Sequence, residues 1–295
     1  AQMPADANAK KEEKIKELND FIARFSANAS KSKQATSRKK QLEKITLDDI
    51  KPSSRKYPFV KFESQRDLGN DLLRVENVSK TIDGVKILDN INFTIRPGEK
   101  AAILSRSDLA QTTMMQILAG TLKPDTGTVK YGQTVITSSL PRDLDANFNN
   151  EELSILDWLR QYATKEQNDN TFLRGFLGKM LFSGDDIQKQ IKVLSGGEKV
   201  RCMLSKMMLE QGNTLLLDDP TNHLDLESIT SLNDALVSFN GSVIFTSHDH
   251  EFISTIADHL VEISDNGSID RAETTYDEFL AHEIVRQQVA KLYEK

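Results

Sequence analysis

Two aspartates in succession close an apolar run, Leu215-Leu216-Leu217-Asp218-Asp219. A buried strand that ends in a carboxylate places it at the edge of a sheet, where open α/β folds bind ligands. Asp218 is the expected ligand for a hard cation such as Mg²⁺, which takes oxygen donors and keeps several waters. Asp219 is placed to polarise an attacking water. Two solvated turn acids before Pro220 would be the plain alternative, and the following Thr221-Asn222-His223-Leu224-Asp225 weakens it. Upstream, Leu194-Ser195-Gly196-Gly197-Glu198 opens a helical pattern continued by Val200, Met203, Leu204, Met207 and Met208. Backbone N–H groups at such an opening, helped by the helix dipole, favour an anion, and the glycines allow close approach. A third run, Val243 to Thr246, ends in Ser247-His248-Asp249. There His248 can hydrogen-bond a phosphate or an attacking water. His250, two residues on, is given no role.

The elements that must position these groups are strands alternating with helices. Apolar strands are expected at Ala101–Ser105, Thr214–Leu217, Ser242–Thr246 and Leu260–Ile263, with helices between them. That alternation predicts an α/β fold with a largely parallel sheet. Shorter β-rich runs lie at 72–96 and Gly127–Gly132, and residues 150–193 read as a helical insert. A terminal helix is expected over Tyr276–Tyr293. The first 66 residues have a different texture. Ile15, Leu18, Ile22 and Phe25 recur at helical spacing, a small, polar and basic stretch covers 26–40, and Pro52 and Pro58 mark a boundary.

Composition narrows the class. The chain of 295 residues is 38% hydrophobic and 28% charged, a globular balance with ample core material. No apolar run approaches the roughly 20 residues that span a bilayer. The N-terminus is polar and begins without Met, as expected of a piece of a longer or processed protein. One cysteine, Cys202, sits in an apolar helical pattern and reads as a small buried residue in a reducing compartment. The net charge is −6, yet residues 31–61 hold ten Lys/Arg against three Asp/Glu. A basic patch on an acidic protein suggests a polyanion contact, although charge alone would favour a solvated linker.

LSGGEKVR, LLLDDPTNHLD and TSHDHEF resemble the signature, Walker B/D-loop and switch histidine of ABC ATPases. The form PTNHLD, the EKVR ending, LRGFLGKMLFSG (Leu173–Gly184) and FIARFSANASKSKQATSRKKQLEKI (Phe21–Ile45) resemble the ABC-F family. The likeness covers almost the whole chain. It implies an ABC-type nucleotide-binding domain over 67–280, with a mostly parallel core sheet, an antiparallel β part and a helical subdomain at about 150–200, then a C-terminal helix at 281–295. It makes residues 1–66 an interdomain linker whose tip, at about 26–40, presents Lys31, Lys33, Arg38, Lys39 and Lys40 to RNA. It further implies a cytoplasmic ATPase that uses ATP and Mg²⁺, with a first ABC domain of the same protein and the ribosome and tRNA as partners, and no membrane domain. Leu224 and Asp225 then belong to the D-loop, Asp219 and His248 are catalytic, and Thr112 and Asp218 bind the metal.

The phosphate-binding loop departs from that pattern. Where G-x-x-x-x-G-K-[ST] should follow a strand, this chain has Ser105-Arg106-Ser107-Asp108-Leu109-Ala110-Gln111-Thr112-Thr113. Ser105, Asp108 and Ala110 replace glycines, Gln111 replaces the lysine, and Asp108 adds negative charge where phosphates belong. Ile82 falls where the family stacks an aromatic on adenine, and Arg142 falls at the Q-loop glutamine. The catalytic glutamate is Asp219, one methylene shorter. ABC domains pair head to tail, so the resemblance implies that the intact LSGGE serves another domain's ATP, while this domain's own site is impaired. An energising subunit of a membrane transporter and a non-hydrolysing regulatory or scaffold domain are the competing functions. The basic helical linker argues against the transporter.

Overall fold

The structure is a computed structural model that describes residues 56–293 together with Glu13, Ile15, Lys16, Asn19 and Asp20, which are helical. The basic tip, with Lys31, Lys33, Arg38, Lys39 and Lys40, lies outside the described residues.

The chain first builds an antiparallel sheet. Strand β1 (Leu73–Ile82) pairs with β2 (Val85–Ile95) and, on its other edge, with β4 (Thr126–Tyr131). Asp83 and Gly84 carry positive φ in the β1–β2 turn, as a tight hairpin requires. Between β2 and β4 come β3 (Lys100–Ser105) and helix α1 (Asp108–Ala119). Ser107 caps α1, its hydroxyl accepting from the Ala110 N–H, and Gly120 ends it in the left-handed conformation.

The main sheet has six strands in the order β5 (Thr137–Leu140), β6 (Thr214–Asp218), β7 (Ser242–Thr246), β3, β8 (His259–Ser264), β9 (Gly267–Arg271). All neighbours are parallel except β8 and β9. Every residue of β6 and β7 is buried, as expected for central strands covered on both faces. Leu215 and Leu217 face one core and Leu216 the other. The Leu216 side contains α1 and the antiparallel sheet. The Leu215 side contains the helical insert, formed by α2 (Ile155–Arg160) and α3 (Asn170–Lys179), and then α4 (Gly196–Glu210), α5 (Leu226–Ser238) and α6 (His250–Ile256). Each fully buried leucine contributes about 1.5–3 kcal/mol of hydrophobic stabilisation.

The helical insert is less regular than its sequence pattern suggests. Two short α-helices and 3₁₀ turns at Asp145–Asn147, Gly184–Gln188 and Ile191–Val193 replace a continuous helical region. Trp158 lies at its centre, fully buried, stacked on Phe148 with ring centroids 4.8 Å apart, and its Nε1 donates to the Asn147 carbonyl. The last helix, α7, spans Tyr276–Tyr293 and so begins before the boundary drawn at residue 280.

The two sheets are joined by an ionic clasp. His259, buried at the start of β8, makes contact through Nδ1 with Glu99 and through Nε2 with Asp270 of β9. The second oxygen of Asp270 accepts from the Thr94 N–H on β2 at 2.9 Å. Burial alone would depress the imidazole, but hydrogen bonds to Asp270 and Glu99 outweigh it and raise the group to about 9.

Candidate functional site

Asp218 is the last residue of β6, and the parallel register places it directly beside Thr246, the last residue of β7. Thr246 Oγ1 donates to Asp218 Oδ1 at 2.6 Å and accepts the Asp219 N–H at 3.0 Å. On the other side of β6, β5 ends at Leu140 opposite Leu217, which delivers Arg142 to the same carboxylate. Arg142 Nε and one terminal nitrogen donate to Asp218 Oδ1 at 3.1 and 2.9 Å. The second oxygen, Oδ2, accepts from Thr112 Oγ1 of α1 at 2.8 Å. Thus α1, β7 and the segment after β5 converge on one carboxylate that is 2% exposed. Charge-assisted bonds of this kind are the strong ones.

The first turn of α1 lies on the solvent side of this cluster. Arg106, Ser107, Asp108 and Leu109 are exposed, whereas Ala110, Gln111 and Thr113 are buried. Asp108 faces an imidazole and a guanidinium. Its Oδ1 is 2.9 Å from His248 Nε2, and its Oδ2 is 3.7 Å from the other terminal nitrogen of Arg142. Gln111 points the opposite way. Its Nε2 donates to the Ile103 carbonyl on β3 at 2.9 Å, and its buried Oε1 has no partner within the protein. The Thr113 hydroxyl bonds back to the Leu109 carbonyl, a local helix contact.

Asp219 follows with φ of 50°, a left-handed conformation rare for a non-glycine residue. Its N–H is shared between the Thr246 carbonyl and hydroxyl, which hold the turn in place. Burial raises the Asp219 carboxyl above its ordinary value, while Arg142 and His248 act in the opposite sense. Asp219 and His248 therefore reach the same face as Asp218, Thr112 and Arg142. His250 lies elsewhere, with its ring edge-on to Tyr276 at 5.4 Å.

The Ser195 end of the stretch forms a complete capping box. Ser195 Oγ accepts the Glu198 N–H, and the Ser195 N–H donates to Glu198 Oε1, both at 3.2 Å. Gly196 and Gly197 are required by packing as well as by any ligand. A Cβ on Gly197 would lie 2.7 Å from the His223 carbonyl oxygen, and one on Gly196 would lie 3.1 Å from the His223 ring. The two ends of the 194–225 stretch are thus in contact. Leu224 is half-buried, and Asp225 caps α5 by accepting the Ser228 N–H at 2.8 Å. Arg201 ties α4 to the helical insert by donating to the Met180 carbonyl at 2.7 Å while lying over the Phe182 ring.

Comparison with known proteins decides the class. A family model described as ABC transporter matches residues 88–222, and a second model with the same description matches residues 2–62. The uncharacterized ABC transporter ATP-binding protein YkpA of Bacillus subtilis is 56% identical over 292 residues, covering 99% of this chain and 54% of the relative. This chain carries an ABC ATP-binding domain. The probable ATP-binding protein YbiT of Escherichia coli O157:H7 is 44% identical over 89% of the chain and 49% of its own length. The ABC transporter F family member 2 of Arabidopsis thaliana is 30% identical over 89% of the chain and 39% of its own length. The chain spans about half the length of the first two of these relatives. Among solved structures, cbiO1 from Clostridium perfringens, described as part of the ABC transporter complex cbiONQ, matches at a TM-score of 0.55 and 21% identity, covering 77% of this chain and all of that one. The ADP- and phosphate-bound dimeric cassette MJ0796 matches at 0.56 and 17%, covering 69% of this chain and all of that one. Both show the fold.

ABC ATP-binding domains take ATP with Mg²⁺, so the fit of that metal is a direct test of this face. Thr112 and Asp218 do stand together, as their assignment to a metal requires. Both oxygens of Asp218 are nevertheless engaged, and one carries the Arg142 guanidinium. A divalent cation there would share a single carboxylate with a fixed positive charge. Among the described residues no cluster of three or more His, Cys, Asp or Glu offers an alternative. The face does not fit Mg²⁺. Two expectations are sharpened accordingly. Arg142, read as standing at the Q-loop glutamine, is the partner of Asp218. Gln111, read as a lost point charge at the phosphates, has left the phosphate face altogether. Ile82, at the end of β1 opposite Val85, is half-buried in the antiparallel sheet and is not part of this hydrogen-bonded cluster. Thr246 and His223 went unassigned in the sequence. Thr246 carried a signal, as the strand-end residue immediately before Ser247-His248.

Proposed function

We propose that this chain is the linker and second ABC domain of a tandem ABC-F type ATPase that works on the ribosome. In this reading its signature completes the ATP site of the first domain, and its own nucleotide face does not turn over ATP. The observation that carries the reading is the contrast between the two ends of one stretch. The Ser195–Glu198 cap is intact, glycine-packed and open to a partner. The Asp218 end is closed by Arg142, under a loop whose Gln111 is buried. Head-to-tail pairing gives such a chain one working half-site to lend and one idle half-site to keep.

Similarity to proteins named as ATP-binding, and to a named F family member, supports ATP hydrolysis by the paired domains. The excess of Lys/Arg over residues 31–61 supports an RNA contact through phosphates, and with it a cytoplasmic, ribosome-bound role. Among the described residues no helix is long and apolar enough to cross a membrane.

The test is steady-state ATP hydrolysis by the tandem protein. Ser195→Arg should reduce turnover by roughly a hundredfold, because it blocks the surface that meets the partner's phosphates. Asp219→Asn should change it by less than about twofold if this face is idle. Loss of turnover in Asp219→Asn with little effect of Ser195→Arg would refute the assignment of the two ends. For the linker, removing the charges at Arg38, Lys39 and Lys40 should weaken ribosome co-sedimentation and flatten its salt dependence.

A further inference from the structure

An ABC nucleotide face ordinarily closes on two charges that the ligand brings, a divalent cation and a terminal phosphate. Here the protein presents both kinds of charge itself. The cation side is the firmer of the two. Arg142 places two N–H groups on one oxygen of the buried Asp218 and a third contact on Thr246 Oγ1 at 3.3 Å. Its side chain is 22% exposed, so water competes little for those bonds. Thr112, the residue placed to ligate a metal, spends its hydroxyl proton on the other oxygen of Asp218. The anion side is the Asp108 carboxylate. It stands at the first position of α1, where helix N–H groups and the dipole favour negative charge. It faces the His248 imidazole at 2.9 Å and the Arg142 guanidinium at 3.7 Å, both turned toward this face.

We propose that Arg142 and Asp108 are internal stand-ins for the divalent cation and the terminal phosphate, so that this face is satisfied with no nucleotide bound. The proposal rests on the reading of Ser105–Thr113 as an altered phosphate-binding loop and gives the physical reason for its idleness. The electrostatics argue for the pair acting together. Arg142 alone would leave a positively charged face that attracts free polyphosphate. Asp108 alone would repel phosphate but attract metal. Together they leave the net charge unchanged and cancel both attractions. The arrangement also determines which ligand is rejected. A metal–triphosphate complex must displace the guanidinium from Asp218 and the carboxylate from the mouth of α1, two steps with no gain in net ion pairing. The backbone of α1 need not move for the face to be filled, so the domain can present a finished surface to a partner domain at all times.

The experiment uses this chain, a fluorescent ATP analogue and thermal melting, each in excess Mg²⁺ and in EDTA. The parent should show neither analogue binding nor a melting shift in either condition. Asp108→Asn/Arg142→Gln removes both stand-ins at constant net charge. It should gain Mg²⁺-dependent binding at least about tenfold tighter than the parent, with a rise in melting temperature of roughly 3 °C at saturating ATP. Parent binding as tight as that of the double variant overturns the proposal. So does a folded double variant that stays inert, which would place the block in the loop and its inward Gln111. Should the double variant lose its far-UV circular dichroism, Asp108→Asn alone decides. It frees His248 and one side of Arg142 and should bind inorganic triphosphate in EDTA, and absence of that binding overturns the proposal. Neither failure touches the signature reading, which the Ser195 and Asp219 variants test in the tandem protein.

Discussion

Thr246 shows how much one hydroxyl can hold. Its oxygen donates to Asp218, accepts from Asp219 and receives a weaker contact from Arg142, all at the junction of two fully buried strands. Thr246→Val preserves shape but leaves Asp218 short of a donor and strips the Asp219 N–H of one of its two acceptors. We expect a loss of about 1–3 kcal/mol in urea unfolding, with most of it recovered in Thr246→Ser, because an orphaned buried polar group costs more than a bond contributes. The same substitution should relax the left-handed turn at Asp219, since its remaining tether is the Thr246 carbonyl. Cys202 stands at the opposite extreme. It is fully buried in α4, and burial raises its thiol well above the ordinary value, so it should resist alkylation in the folded protein.

At the scale of elements, two contacts set the architecture around the site. The first is the approach of α4 to the segment after β6. Gly197→Ala would drive a methyl group into the His223 carbonyl, so α4 must shift or the 220–225 segment must yield. A cost of about 1–3 kcal/mol is expected by the same unfolding measurement, independent of any nucleotide. The second is the His259 clasp between the sheets. Its imidazole is raised from 6.5 to about 9 on folding. A raised cationic group contributes fully below its unfolded value and loses its contribution as pH rises through its folded value. Asp270 is depressed; burial works against this but is outweighed by its hydrogen bonds to His259 and the Thr94 N–H, so its contribution is lost as pH falls through the acid range. Melting temperature should therefore decline from about pH 6.5 to about 9. His259→Gln should remove that slope while lowering the whole curve.

At the scale of the molecule, β6 is the wall between two cores. Leu216 faces the antiparallel side and Leu217 the helical side, so truncating either weakens a strand that both cores share. Leu216→Ala should cost about 2–5 kcal/mol. Hydrogen exchange should report the loss in α4 and α5 as much as in α1, as one cooperative unit. The central strands were legible in the sequence because LLL, VIFT and AAIL are continuous apolar runs, the mark of a strand covered on both faces. Strands β5 (TSSL) and β9 (GSIDR) were not, because short, polar edge strands carry no such run. The site was legible as types and positions but not as partners. Arg142 and Asp218 are 76 residues apart and meet only through the β5–β6 register. Nor does sequence show which way a side chain turns, and Gln111 turned inward. What helical spacing missed in the insert were the 3₁₀ turns before and after its two short helices.

The indole stack in the helical insert has a practical use. The chain has a single tryptophan, and Trp158 rests on Phe148, whose ring also lies under the Lys199 ammonium of α4 at 5.7 Å. Phe148 follows Arg142 by six residues through a short 3₁₀ turn. The emitter therefore sits between the segment that bears Arg142 and α4, the helix that Ser195 caps. Its intrinsic emission is an unlabelled gauge of both, able to register the release of Arg142 or a movement of α4 from a single wavelength.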